Sequence, residues 1–224
     1  MIPMQFALRR RMMMAGGGGA PISDLPLGTL INVGTDGGAG TPNYEIADKD
    51  NLVSGGVVLV RKEVYSNSKF GSSTLYPNST LDNLVKTTIY NRMSQKLRNK
   101  MMDVTFTLAG SGSITRKMFV PTLTMMFGRA NQTYEGVVAT EGVRLQLYTN
   151  DASRIRTQKG SGVYWWMSSQ YSSNGVRCVN YVGGLMTNGD SFKNTNGVVP
   201  AFVIPLTTRY NATPNTDGSY NLIL

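Results

Sequence analysis

The side chains that most often carry catalysis are nearly missing from this sequence. It has no histidine and a single cysteine, Cys178. Ser-His and Cys-His nucleophile pairs are therefore excluded within one chain, and no internal disulfide can form. A zinc site would have to be built mostly from carboxylates. Cys178 lies between Arg177 and Val179 in an alternating stretch and reads as a small buried hydrophobe rather than a reactive thiol. Carboxylate chemistry stays open in principle. A retaining glycosidase needs two carboxyl groups about 5 Å apart, whereas Glu135, Glu141, Asp151 and Asp190 are spread through loop-like sequence without a supporting motif. Asn188 and Asp190 offer two oxygens where calcium takes about six to eight. No catalytic residue, metal or cofactor is expected.

What remains is chemistry suited to binding. Gln170, Tyr171, Ser172, Ser173 and Asn174 form one polar segment, and Asn188, Asp190, Phe192 and Asn194 supply a second. Tyrosine, serine and asparagine give contact area and hydrogen bonds at low entropic cost, which is why adaptable binding loops favour them. These segments read either as ligand-binding loops or as ordinary polar turns. The candidate ligand-binding set is Gln170, Tyr171, Ser172, Asn174, Asn188, Asp190 and Phe192.

The elements that must position these residues are mostly strands. At 224 residues with 41% hydrophobic content, the chain is long enough to bury a sizeable core. Gly28 to Gly34 reads as a short strand closing at a glycine, and Tyr44 to Asp48 as a second. Val57-Val58-Leu59-Val60 is a continuous apolar run bounded by breakers, as in a strand buried on both faces. Ser79 is a helix N-cap with Asp82 three residues on, and Leu81, Leu84, Val85 and Ile89 share a face at helical spacing. Ser94 caps a second short helix carrying Leu97, Met101 and Met102. Beyond Asp103 the period is two over Val104–Leu108, and residues 128–162 read as long loops with short strands. An aromatic strand Tyr164-Trp165-Trp166-Met167 follows, then an alternating Arg177–Val182 strand and an Asn188-Gly189 tight turn. Residues 197–205 close the core, and Tyr220–Leu224 reads as a last strand pairing with a neighbour.

The net charge is +9. Part of it is local, at Arg9, Arg10 and Arg11 and again at Lys86, Arg92, Lys96, Arg98 and Lys100. The helical charges read as a solvated face. Without clustering along a groove, nucleic acid is not the favoured partner. No apolar stretch approaches the roughly 18 residues that span a bilayer. The N-terminus lacks the apolar region and cleavage site of a signal peptide, so synthesis in the cytoplasm without signal-directed export and no membrane insertion are expected. Residues 1–26 read as an arm: Leu8, Arg9, Arg10, Arg11, Met12, Met13 and Met14 precede four glycines, Gly16 to Gly19, a flexible joint. Such an arm reads equally as a frayed terminus or as a peptide that docks a subunit on a larger assembly. The expected organisation is an arm at 1–26, a domain at 27–206 and a C-terminal extension at 207–224.

The order of parts in the C-terminal third is specific. Tyr164-Trp165-Trp166-Met167-Ser168-Ser169, then Val179-Asn180-Tyr181-Val182, then Asn196-Gly197-Val198-Val199-Pro200-Ala201-Phe202 resembles a domain of unknown function common in gut-bacterial phages and prophages. Its members carry a Tyr-Trp-Trp-Leu-Arg-Ser-Pro-like strand and a closing Gly-Val-Arg-Pro-Ala segment. Leu59-Val60-Arg61-Lys62, Asn78-Ser79-Thr80 and Phe119-Val120-Pro121 agree in order, and the Ala7–Ala15 arm resembles the start of such phage proteins. Coverage runs over roughly residues 7–206. Two positions depart: Ser168-Ser169-Gln170 stands for the family's Arg-Ser-Pro, and Val199 for its closing arginine. That family is similar to the C-type lectin and formylglycine-generating-enzyme folds, although the chemistry of the latter needs cysteine and metal that this chain cannot supply.

The resemblance implies a C-type-lectin-like α+β fold, compact and loop-rich, with short antiparallel strands, one or two helices at about residues 78–102 and an extended N-terminal arm. It implies a bacteriophage virion structural protein on the particle surface, displayed in multiple copies, with homo-oligomerisation an open alternative; that it is not an enzyme is expected from the absent histidine and the single cysteine. The arm would attach to tail, baseplate or capsid subunits, and the domain would bind a host-surface glycan or protein. Capsid decoration is the alternative use of the same domain.

Overall fold

The computed structural model describes residues 19–224. Its centre is the apolar run expected to be buried on both faces. Strand Gly56–Arg61 is buried along its whole length. It pairs antiparallel with Asn43–Lys49 on one side and with Ala201–Pro205 on the other. Met118–Phe119 extends the sheet beyond Ala201–Pro205, and Leu30–Asn32 extends it beyond Asn43–Lys49.

The far edge differs from expectation. Tyr220–Ile223 pairs with this chain's own Leu30–Asn32, in parallel, and with Arg209–Tyr210, so its partner strands are intramolecular. Arg209–Tyr210 in turn pairs with Ala20–Pro21, completing eight strands. The folded unit thus reaches past both boundaries set at residues 26 and 207, because Ile22, Leu25 and Tyr210 bury their side chains in the core. Gly19 also belongs to this edge. A Cβ there would lie 1.7 Å from the Tyr210 carbonyl oxygen, so close strand approach rather than free rotation requires glycine at that position. The attachment residues Leu8 to Met14 lie outside the described residues.

The helices begin where their caps stand. Ser79 accepts the Asp82 amide N–H and Ser94 accepts that of Leu97. Residues 80–92 form one continuous helix with a π turn at Leu84–Ile89. Its buried contacts are Leu81, Val85 and Ile89, with Leu84 at the rim. A step of four residues matches the wider π turn, which moves Leu84 off the buried stripe. Gln95–Lys100 follows, and its exposed cations face solvent.

A second sheet of five strands carries the aromatic motif: Asp190–Ser191, Gly175–Val179, Trp165–Gln170, Thr195–Gly197 and Asn67–Lys69. Trp165 and Trp166 are both fully buried. As neighbours in a strand they leave from opposite faces, so Trp165 Nε1 donates to the Arg154 carbonyl and Trp166 Nε1 to that of Ser68. The whole is a mixed α/β, strand-rich arrangement with few helices. Among the described residues no helix is long and apolar enough to cross a membrane.

Candidate functional site

The first polar segment predicted to bind is the turn of the hairpin joining Trp165–Gln170 to Gly175–Val179. Register is Trp165 to Val179 and Trp166 to Cys178, then shifts to Gln170 opposite Val176. This bulge takes Ser168 and Ser169 out of the ladder and turns them toward residues 120–123. Ser168 Oγ donates to the Val120 carbonyl, 2.9 Å away. Ser169 Oγ accepts the Leu123 amide at 2.7 Å and donates to Glu141 Oε2. The two serines at the departing positions thus brace this strand without an arginine.

Glu141 is fully buried. Its Oε1 accepts the Ala109 amide and Asn131 Nδ2. Burial pushes its carboxyl pKa up, and although hydrogen bonds from Ser169, Ala109 and Asn131 oppose this, the net direction is upward. Asn131 passes the constraint on, since its Oδ1 accepts Arg177 Nε at 3.2 Å. Arg177 is then held by two carbonyls, those of Thr187 at 2.8 Å and Gln132 at 2.6 Å. Its guanidinium lies over the Tyr171 ring, 4.3 Å from the centroid. Burial lowers the Arg177 pKa, and Arg129 adds to the lowering, but a guanidinium remains charged across the physiological range.

Around this arginine opens a cleft of about 360 Å³ lined by Arg129, Gln132, Tyr134, Tyr171, Leu185 and Thr187 among others. One wall is the segment 129–134, which includes the short strand Asn131–Gln132 and is docked on the hairpin by the Tyr134 amide to the Tyr171 carbonyl at 2.7 Å. Tyr134 is 78% exposed, and its ring meets Tyr171 edge-on at 6.3 Å between centroids. The Asn188-Gly189 turn packs beneath. A Cβ on Gly189 would come within 3.0 Å of Tyr171 Cβ and the Val176 carbonyl, and its φ of +63° suits glycine.

Of the seven candidate residues, Tyr171 faces the cleft. Asn174 and Asn188 are exposed on adjoining turns. Gln170 turns the other way, donating to Thr74 Oγ1. Ser172 closes its own turn, its Oγ accepting the Asn174 amide and its carbonyl accepting Gln170 Nε2. Asp190 is occupied by Asn194, Asn196 and the Ser191 amide, and Phe192 is buried. These four hold the scaffold of the site.

Sequence reasoning missed Arg129, Tyr134 and Arg177. The available signal was Arg177 set between Val176 and Cys178, apolar neighbours in the strand Gly175–Val179, which is buried along its whole length. Burial drives the Cys178 thiol pKa well up, so that sulfur stays protonated. Glu135 accepts the Ser173 amide and Asp151 pairs with Arg154. Among the described residues no group of three or more His, Cys, Asp or Glu is placed to hold a metal ion.

Residues 54–206 match the model of a family described as Domain of unknown function (DUF6273). The matched stretch begins in the turn before Gly56–Arg61 and ends one residue after Ala201–Pro205. It therefore contains the whole five-stranded sheet and the cleft. No curated protein and no solved structure matches the chain.

Proposed function

The chain belongs to the DUF6273 family, a domain of unknown function, and from that premise we propose that it is a bacteriophage virion structural protein. In this reading a C-type-lectin-like domain on the tail or baseplate binds the host surface through the Tyr171 cleft. The observation that carries the reading is the cleft itself: an open concavity with an exposed tyrosine, a second tyrosine and two arginines, built on the hairpin of the five-stranded sheet. A few polar groups on an aromatic wall are the usual make-up of a recognition site. The resemblance of the Tyr164–Phe202 order of parts and of the Ala7–Ala15 arm to phage proteins supports the setting.

The test is made on particles from the source of the gene. Gold-labelled antibody to the chain should decorate tails or baseplates, and deletion of residues 1–15 should prevent incorporation while the purified variant keeps its thermal midpoint. Labelling of heads alone would move the assignment to capsid decoration. Particles without label, or normal incorporation of the deletion variant, would overturn the attachment reading.

A further inference from the structure

We propose that the Tyr171 cleft recognises an acidic sugar residue, binding its carboxylate at the two arginines and its ring against the tyrosines. This rests on the recognition role proposed above and names the ligand class for the same site.

The argument starts from unbalanced charge. Arg129 and Arg177 both line the cleft, and no carboxylate side chain does. Neither arginine takes part in an ion pair among the described residues. Arg177 is held by three neutral oxygens, from Asn131, Thr187 and Gln132. Three N–H bonds leave about two of its five donors for other acceptors. Arg129 has no side-chain acceptor and only a ring contact, 5.9 Å from Phe127. The nearest acids lie outside the cleft lining. Glu141 stands behind Asn131 and reaches Arg177 only through that amide, while Glu135 is engaged by the Ser173 amide outside the lining.

A nearly buried guanidinium held in place without a directly paired carboxylate is costly unless an anion completes it, and its planar fork matches a carboxylate. The aromatic side selects what carries that carboxylate. Tyr134 projects into solvent and meets Tyr171 at 64°, giving two apolar faces beside the cations. Saccharide rings present C–H faces that pack on such surfaces, and their hydroxyls find Gln132, Thr133 and Thr187 in the same lining. By contrast, the shelf formed by Tyr164 and Tyr181 has Asn67, Gln158 and Asn196 beside it but no cation, so the acid is assigned to the Tyr171 cleft.

The experiment titrates the full chain at low salt with 3′-sialyllactose, with digalacturonic acid and with lactose as the neutral control. At least one acidic sugar should bind about tenfold or more tightly than lactose. Arg129→Gln should weaken that binding about tenfold, the usual loss for a charge-assisted hydrogen bond. Tyr134→Ala should weaken it without altering the thermal midpoint, as its side chain is mostly exposed. Equal binding of lactose, no binding of either acid, or unchanged affinity in Arg129→Gln would each overturn the proposal. So would binding of an oligothymidylate with steep salt dependence in place of the sugars. Adsorption of the purified chain to host cells is measured alongside. Adsorption that persists without acidic-sugar binding defeats this ligand class alone, and loss of adsorption with acidic-sugar binding intact defeats the host-surface reading alone.

Discussion

Ser169 and Glu141 set the aim of the cleft from below. The serine hydroxyl satisfies one buried amide and one carboxylate oxygen, and the carboxylate then fixes Asn131 and, through it, Arg177. Ser169→Ala leaves both buried partners short of a bond, at a cost of about 2 kcal/mol at neutral pH. The pH dependence follows from Glu141. Its folded pKa is raised, so the folded chain holds this proton to higher pH than the unfolded chain does. That contribution to stability is complete below the ordinary glutamate range and is lost as pH rises through the folded value. The ionised carboxylate depends most on Ser169, so Ser169→Ala should destabilise more at about pH 7 than at about pH 4. Urea unfolding at both values checks this, and equal losses would show that Glu141 is not coupled to Ser169. None of this chain was legible in sequence, where Glu141 read as one scattered acid and Ser169 as a departure from a motif. Hydrogen bonds between residues 28 and 46 positions apart leave no local pattern.

At the scale of elements, caps were legible and ties between elements were not. Ser79 and Ser94 were identified because a cap is decided by the few residues around it. The sequence also placed Asp82 at the third helical position, but its larger role lies elsewhere. It accepts both Arg116 Nε and Nη2, at 2.9 and 2.8 Å, and so fastens the hairpin of Val104–Leu108 and Gly112–Arg116 to the helix start. Lys86 and the Asn78 amide also donate to it. Burial raises the Asp82 pKa, but these donors outweigh burial and the net direction is downward. Asp82→Asn should therefore cost about 2 kcal/mol at neutral pH. A depressed carboxyl pKa gives stability that is present above the ordinary aspartate value and lost as pH falls through the folded one. The difference from the unmodified chain should hold down to about pH 5 and shrink toward about pH 2. A constant difference across that range would deny the ionised pair its role.

For the whole molecule, the two ends of the described chain lie in one sheet edge. Tyr220–Ile223 is the strand that joins the Ala20–Pro21 and Arg209–Tyr210 pair to the rest of the sheet. Removing residues 211–224 should strip that link and uncover Leu30–Asn32. Its thermal midpoint should fall by roughly 5–10 °C, given about 2–4 °C per kcal/mol for a domain of this size. An unchanged midpoint would show the edge to be independent of the core. The sequence by itself determined the strand-rich character, the helix starts, the fully buried Val57–Val60 run and the lack of histidine in the chain, because each depends on composition or on periodicity within one element. Only the tertiary structure decided the rest. It brought Arg129 and Tyr134 from one segment, Tyr171 from the hairpin turn and Arg177 from the strand Gly175–Val179 into one cleft, turned Gln170, Asp190 and Phe192 into supports, and drew residues 20–25 and 209–223 into the fold. Each of those outcomes rests on contacts between segments distant in sequence, whose energies come from burial and hydrogen bonding that no local pattern encodes.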